Sequence, residues 1–171
     1  FHERWVVGYG HASVAEHAVL HLAVEDISRL VCDTLEDNRL ASYTEKSSRY
    51  QLFPSDYFFQ PPELSNDPRL VQAFGNACRE LFQVYHRLVE GCVDYLRGVY
   101  PQREREWDAA YNLRLQRDAT DSCRAVLPAA TLTNVGVTAN ARVLEHAISK
   151  LMSSELDEER NLGGELREQG Q

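Results

Sequence analysis

The polar segment at residues 38–50 carries the residue types that bind phosphate groups. It reads N-R-L-A-S-Y-T-E-K-S-S-R-Y and contains two arginines, three serines besides Thr44, and one glutamate. Arg39 and Arg49 can donate charge-assisted, paired hydrogen bonds to phosphoryl oxygens, and serine hydroxyls with backbone amides can complete such a site. A loop of this composition is also often simply solvated, so composition alone leaves both readings open.

Histidines provide the other candidate chemistry. His17 and His21 lie four residues apart beside Glu16, but no third ligand follows at a recognisable spacing, and zinc needs at least three protein ligands. We therefore predict no metal site. Arg142 and His146 lie one helical turn apart, a spacing that also fits two residues on one solvated helix face.

Composition limits the functions that these residues can serve. The length of 171 residues predicts one globular domain over residues 1–171. The net charge of -8 argues against binding to DNA, RNA or a membrane surface. An anionic ligand would therefore need a local arginine cluster. The four cysteines form no C-x-x-C pair, which favours a reducing, cytoplasmic setting without a disulfide scaffold. The first residues do not form a signal peptide, and the abrupt start leads us to expect a fragment of a longer protein.

The hydrophobic pattern predicts a helix-rich α+β domain with a small antiparallel sheet. Strands are predicted at 18–24 and 131–139, although the short apolar run at 18–24 also fits a helix. A short helix capped by Ser28 is predicted to run to Glu36. Residues 37–50 are predicted to be a polar loop, and residues 53–62 to be irregular.

Three further helices are predicted. The first begins at Asp67-Pro68 and ends at residues 98–101, with a stripe of residues at three- or four-residue spacing that should pack in the core or a subunit interface. The stripe consists of Leu70, Phe74, Cys78, Leu81, Tyr85, Leu88, Cys92 and Leu96. The second runs from about 107 to 126, before Pro128. The last begins near Asn140 with Val143, Ala147 and Leu151 on one face, and the polar tail 161–171 is predicted to fray.

Sequence blocks in the same order along the chain resemble the flavin-dependent thymidylate synthases. The family signature R-H-R-x-x-S-x-N-E-x-S-x-R-Y aligns with D-N-R-L-A-S-Y-T-E-K-S-S-R-Y at residues 37–50. G-H-A-S-V-A-E-H at 10–17, C-R-A-V-L-P at 123–128 and N-A-R-V-L-E-H at 140–146 are similar to three further family blocks. The resemblance covers about residues 8–160, and the family's usual N-terminal strand and helix are missing from it.

The resemblance implies a reaction, a cofactor and an assembly. These synthases convert dUMP to dTMP, with methylenetetrahydrofolate as the carbon donor, NADPH as the reductant and FAD as the cofactor. Because the flavin carries the hydride chemistry, the resemblance implies no protein nucleophile, and the protein binds, orients and polarises its ligands. Family active sites lie between subunits, so a homo-oligomer, specifically a homotetramer, is expected.

The resemblance also assigns roles by position. The residues that resemble nucleotide-site residues are Glu45, Ser47, Arg49 and Arg124, with Arg124 expected to reach the site of a neighbouring subunit. The residues that resemble flavin-site residues are His11, Ser13, Glu16, Arg39, Asn140, Arg142 and His146. Taken alone, His11 would more often be a turn histidine bonded to backbone.

Four departures from the family pattern bear on activity. Asp37, Asn38 and Thr44 replace the first arginine, the histidine and the asparagine of the signature, and Leu151 stands where the family has another substrate arginine. Asp37 reverses the charge expected near the ligand's phosphates. One alternative to a working synthase is a catalytically degenerate domain with a structural, partner-binding or nucleotide-binding role, such as half of a tandem protein. Another is a family relative that acts on a different uridine nucleotide or pyrimidine.

Overall fold

The computed structural model describes residues 12–170. Within that range the chain forms two compact units: a sheet unit of residues 12–46, 59–68 and 132–170, and a helical unit of residues 47–58 and 69–131. The predicted α+β class, rich in helix with a small antiparallel sheet, is confirmed. The single-domain span of 1–171 stays a prediction.

The sheet unit is built on three antiparallel strands. Strand β1 covers Val19–Ser28, β2 covers Ser42–Glu45 and β3 covers Leu132–Asn140, with β3 in the centre. On β3, Thr133, Val135, Val137 and Ala139 are buried, as expected for a central strand with period-two alternation. Both predicted strands are confirmed. The register pairs Val19 with Asn140, so the segments that flank the two strands at this end lie side by side.

The helix that follows β1 also forms as predicted. Helix α1 covers Arg29–Glu36, and its N-cap Ser28 accepts a hydrogen bond from the backbone N–H of Val31 at 3.2 Å. Val31, Cys32 and Leu35 are buried against the sheet in the main core cluster. The helix therefore fixes the start of the polar segment, at Asp37.

One part of the predicted polar loop is wrong, because residues 42–45 form the edge strand β2. Ser42 pairs with Thr138 and Glu45 with Val135. Tyr43 and Glu45 are half-buried while Ser42 and Thr44 are exposed, so the strand does alternate, but with polar residues on both faces. A strand this short and polar is typical of a sheet edge and resembles a loop in sequence.

The next helix of the sheet unit covers Ala141–Met152. It is numbered α4 because helices α2 and α3, described below, precede it in the chain. Asn140 caps it, accepting from the N–H of Val143 at 2.9 Å, and Leu144, Ala147 and Leu151 are buried. The predicted start and the buried positions Ala147 and Leu151 are confirmed.

The prediction that the C-terminal tail frays is wrong. Residues Asp157–Gln169 form helix α5, whose Leu162, Gly163 and Leu166 are buried. Its first turn holds Asp157, Glu158 and Glu159, which suit the positive end of the helix dipole. Glu158 accepts hydrogen bonds from Ser28 N at 2.6 Å and Ser28 Oγ at 2.7 Å, a tertiary contact that a local reading of polar residues cannot reveal.

The helical unit contains two long helices. Helix α2 covers Pro68–Val99, and α3 covers Asp108–Cys123 and continues as a 3₁₀ turn, Arg124–Val126. The predicted start at Pro68 and stop before Pro128 are confirmed. The segment at 53–62 is irregular as predicted, with one isolated bridge between Phe58 and Thr131. None of the helices among residues 12–170 is both long and apolar enough to cross a membrane.

The predicted stripe of α2 enters the core only in part, and the alternative that its other residues form a subunit interface stays a prediction. Its buried residues are Gly75, Cys78, Phe82, Tyr85 and Val89. From the predicted stripe, Cys78 and Tyr85 are buried, whereas Leu70, Leu81 and Leu88 are 52%, 38% and 44% exposed. The stripe therefore includes residues from two neighbouring faces of the helix. Steps of three and four residues can follow either face, so spacing alone does not show which face is buried.

Candidate functional site

A cavity of about 710 Å³ in the sheet unit is lined mainly by polar and charged side chains. Three segments form it: the 3₁₀ helix Ala12–His17, the residues after α1, and the first turns of α4. These segments meet because the pairing of Val19 with Asn140 places the residues before β1 next to those after β3. A backbone hydrogen bond from Ala141 N to Ala18 O, at 2.8 Å, holds this junction.

Five of the seven residues predicted for the flavin site line this cleft. They are Glu16, Arg39, Asn140, Arg142 and His146. Ser13 is exposed on the same 3₁₀ helix and does not line the cleft, and His11 lies outside the described residues. The structure therefore brings together residues that are more than 120 positions apart in sequence, while their roles toward a ligand stay predictions.

Two ion pairs neutralise most of the charge around the cleft. Arg142 Nη1 donates to Glu16 Oε1, and Lys150 Nζ donates to Asp37 Oδ2 at 2.6 Å. The hydrogen bond from Lys150, together with its charge, holds the pKa of the Asp37 carboxyl below its ordinary value. Asp37 thus stays ionised, and the carboxylate that departs from the family pattern has a specific partner.

Arg39 is the cleft residue best placed to receive an anion. Its side chain is exposed, it lines the cleft, and it forms no ion pair with any described residue. Asn140 uses its Oδ1 atom to cap α4, which leaves its side-chain NH₂ group as a second donor on the cleft wall. The cleft therefore offers a guanidinium and an amide to an anionic or polar ligand.

Asn38 has a structural task. Its side chain is buried, with Nδ2 donating to Leu35 O at 2.9 Å, and its own carbonyl accepts from the Tyr43 hydroxyl at 3.1 Å. The Tyr43 hydroxyl lies 2.9 Å from Leu35 O as well and shares its one proton between the two carbonyls, so these contacts tie the end of α1 to β2. Asn38 thus holds the backbone that presents Asp37 and Arg39.

Glu45, predicted for the nucleotide site, is engaged within the sheet unit. It accepts from Arg29 Nη1 at 2.7 Å and from the buried Thr133 hydroxyl at 2.9 Å, and its side chain is only 24% exposed. Sequence reasoning missed Arg29. It stands as an ordinary first residue of α1, sixteen positions before Glu45, and nothing in its local pattern indicates the pairing.

The other predicted nucleotide-site residues form a cluster in the helical unit. Arg49 Nε and Arg124 Nε both lie 3.1 Å from Asp121 Oδ1. Arg124 Nη1 also donates to the buried Ser48 Oγ at 3.1 Å, and Ser47 Oγ accepts from Arg49 N at 3.2 Å. Two guanidiniums thus converge on one carboxylate oxygen, a geometry that also suits a phosphate oxygen.

Asp121 is the residue of this cluster that sequence reasoning missed. It precedes Arg124 by three positions on α3, a spacing that places both side chains on one helix face and that could have indicated the pair. Thr120, next to it, donates its hydroxyl to Arg49 O at 2.6 Å and fixes the loop backbone. Glu45 belongs to the sheet unit, whereas Ser47, Arg49 and Arg124 belong to the helical unit.

The family described as thymidylate synthase complementing protein matches residues 1–169. The chain belongs to this family. The cleft and the arginine cluster described above therefore lie in a member of the thymidylate synthase complementing protein family.

Individual relatives carry two names. The chain is 33% identical over 168 residues to a UPF0159 protein of Chlamydia muridarum, covering 95% of this chain and 32% of that protein. It is 34% identical over 145 residues to the flavin-dependent thymidylate synthase of Thermococcus onnurineus, covering 82% of this chain and 49% of that enzyme. The corresponding synthase of Geobacter sulfurreducens is 33% identical over 141 residues, with 82% of this chain and 51% of that enzyme covered. The chain therefore spans about a third of the UPF0159 protein and about half of each synthase.

The departures from the family signature have definite structural settings in this member. Asp37 is paired with Lys150, Asn38 is buried in backbone hydrogen bonds, and Thr44 is exposed on β2. Leu151 is 1% exposed in the main core cluster, so it acts as a packing residue of the thymidylate synthase complementing protein fold here. Within the described residues, no group of three or more histidine, cysteine, aspartate or glutamate side chains is arranged to hold a metal ion.

Proposed function

We propose that the chain supplies flavin- and nucleotide-binding residues of an FAD-dependent thymidylate synthase, which converts dUMP to dTMP with methylenetetrahydrofolate and NADPH. The observation that carries the proposal is the convergence of Glu16, Arg39, Asn140, Arg142 and His146 on one cleft. The flavin-dependent thymidylate synthases of Thermococcus onnurineus and Geobacter sulfurreducens, as similar proteins, support it.

The cleft has donors that fit a flavin nucleotide. Arg39 lacks an ion-pair partner among the described residues and can bond to the diphosphate, while Arg142 and the Asn140 amide can bond to its polar groups. FAD, when bound, supplies the hydride chemistry. The chain's own residues then bind and orient, which explains why no nucleophile paired with a base is needed at the cleft.

The arginine cluster has donors that fit the phosphate of dUMP. Asp121 is the anion between Arg49 and Arg124, and a phosphate dianion would offer each guanidinium a stronger acceptor. The hydroxyls of Ser47 and Ser48 accept from Arg49 N and Arg124 Nη1 at the same place, and each keeps its own proton to donate. We further propose that the protein works as a cytoplasmic homo-oligomer, in which Arg124 of one copy serves a site shared with another.

A second candidate function is a family domain that binds nucleotide without turnover. Two observations favour it: Asp37 places a carboxylate at the cleft, and Asn38 is committed to backbone hydrogen bonds. In this case the domain keeps the architecture and the arginine cluster, and another family domain carries out the chemistry. Such a domain would bind dUMP but would not oxidise NADPH.

Titration with FAD, with and without dUMP, tests the proposal and separates the two candidates. We expect FAD to bind with a shifted absorbance spectrum, and Arg39→Ala to weaken binding about tenfold because it removes one charge-assisted contact worth about 1.4 kcal/mol. The matched control is Arg167→Ala, since Arg167 is an exposed cation of α5 in the same unit and does not line the cleft. Flavin binding with dUMP-dependent NADPH oxidation supports the synthase; dUMP binding without FAD binding supports the second candidate.

A further inference from the structure

The pair formed by Asp37 and Lys150 sets the charge of the cleft. Asp37 is the C-cap of α1 and lines the cleft, and Lys150 reaches it from the last turn of α4 with 2.6 Å between Oδ2 and Nζ. Lys150 does not itself line the cavity. It reaches the wall of the cavity through the Asp37 carboxylate, with which it pairs.

We propose that Lys150 is a positioning residue that keeps the cleft able to bind an anion, by holding the Asp37 carboxylate in an ion pair and away from Arg39. The inference rests on the proposed function, because it concerns the phosphate groups of the same ligand. It assigns to Lys150 a role created by the Asp37 departure, which places a carboxylate in the wall of an anion site.

The charges of the described lining residues support this role. Glu16 and Asp37 contribute two negative charges, and Arg39 and Arg142 contribute two positive charges, so these four cancel. Lys150 adds the one excess positive charge. Since Glu16 pairs with Arg142 and Asp37 with Lys150, Arg39 keeps its guanidinium available to a ligand.

Removing Lys150 would release a carboxylate next to the anion-binding arginine. Asp37 and Arg39 are two residues apart and line the same cavity, so a freed Asp37 can pair with Arg39 and compete with the ligand's phosphate. The side chains are exposed, 73% for Asp37 and 38% for Lys150, so solvent screens the effect. We expect a change in anion affinity of about fivefold at low salt, which becomes smaller at high salt.

The packing of α4 explains why Lys150 can hold this position. Leu151, its neighbour, is 1% exposed in the main core cluster, and Ala147 and Leu144 are buried on the same helix. These residues fix the rotation of α4, so Lys150 projects from the adjacent, outer part of the helix surface. The burial of Leu151 therefore fixes the direction in which Lys150 extends its ammonium group toward Asp37.

The test is a double-mutant cycle on the whole chain with two probes, FAD and inorganic pyrophosphate, titrated by calorimetry at low and high NaCl. Lys150→Ala should weaken both probes about fivefold at low salt. Asp37→Asn with Lys150→Ala should restore the affinity, and Lys150→Arg should keep it. Arg167→Ala is the matched control, because Arg167 is an exposed cation of α5 that does not line the cleft.

A ligand-free measurement checks the pair itself. NMR titration of the Asp37 carboxyl should show its pKa rising in Lys150→Ala, because the hydrogen bond and charge that lower it are gone. A purely structural role for Lys150 would not predict recovery of anion binding on removing the Asp37 charge.

The outcomes separate this inference from the proposed function. If pyrophosphate binds and follows the expected order of variants while FAD does not bind, the flavin proposal fails and the role of Lys150 stands. The role of Lys150 is overturned if neither probe binds the wild-type chain, if Lys150→Ala binds pyrophosphate as well as the wild type, or if the double variant is as weak as Lys150→Ala.

Discussion

At the scale of single residues, polar contacts between distant segments decide which side chains are available for chemistry. Glu45 resembles a nucleotide-site residue in sequence, but in the folded chain it accepts from Arg29 and Thr133. Arg39, in the same polar segment, has no ion-pair partner among the described residues. The sequence places both residues in one motif. The partners of Glu45 come from distant positions in the chain, so local spacing could not predict that Glu45 is engaged while Arg39 is available.

Glu45→Ala should lower the free energy of unfolding by about 1–3 kcal/mol, because it leaves the half-buried Arg29 and the buried Thr133 hydroxyl without their acceptor. Urea denaturation followed by circular dichroism measures the change. Glu25→Ala is the control, since Glu25 is an exposed residue of β1 with no ion pair to a described residue. Equal stability of the two variants would show that the Glu45 contacts do not stabilise the fold.

Cys32 should be inert toward alkylation in the native chain. Burial, followed by the nearby charges of Glu36 and Glu45, raises the pKa of its thiol to about 12, so at pH 8 only about one molecule in ten thousand carries the thiolate. In the unfolded chain the thiol regains an ordinary pKa and reacts. Iodoacetamide labelling with mass spectrometry, with and without urea, compares the two states, and rapid native labelling of Cys32 at pH 8 would contradict the expectation.

At the scale of elements, the sequence predicted those whose hydrophobic pattern is strong and missed those held by tertiary contacts. The first residues of α1 and α4 were predictable because Ser28 and Asn140 are good N-caps. Helix α5 was not, because it carries few apolar residues and docks through Glu158 on Ser28 and Glu159 on Thr34. The edge strand β2 was missed for a similar reason, since its polar residues pair with β3 along the backbone.

The docking of α5 gives a prediction with a built-in control, because two adjacent glycines face different surroundings. A Cβ at Gly163 would lie 2.9 Å from Met152 Cγ and 3.1 Å from Leu151 Cβ, whereas a Cβ at Gly164 would meet nothing within 4 Å. Gly163→Ala should therefore destabilise the chain by about 1–2 kcal/mol, and Gly164→Ala should stabilise it by about 0.5–1 kcal/mol. Thermal and urea unfolding measure both, and destabilisation of similar size in the two variants would contradict the packing of α5 on α4.

At the scale of the whole molecule, the site depends on sheet register. The cleft residues Glu16 and Arg142 come together because β1 and β3 pair antiparallel with Val19 opposite Asn140. The alternation of apolar and polar residues predicts each strand separately, but it does not determine which strands pair or in what register. The family resemblance grouped these residues in one site, and the sheet supplies the physical reason for that grouping.

Helix α2 presents a second face that the described chain leaves open. Leu81, Leu88 and Tyr95 repeat every seven residues and are 38%, 44% and 68% exposed. Open space lies above Gly91 and Gly98 on the neighbouring row of this face, so another helix can approach closely there. A seven-residue repeat of this kind is typical of helix pairs that pack along their length.

We expect a second copy of the chain to cover this face, with its α2 antiparallel. Glu80 and Arg87 flank the stripe one repeat apart with opposite charges, so a twofold antiparallel pair sets Glu80 of each copy against Arg87 of the other. Leu88→Glu should therefore raise the dimer dissociation constant at least tenfold (about 1.4 kcal/mol), measured by sedimentation velocity. Gln83→Glu adds the same charge to an exposed position outside the stripe and should leave association unchanged. A wild-type chain that stays monomeric at high concentration, or a loss of association that is equal in both variants, would show that a copy of this chain does not occupy the α2 face.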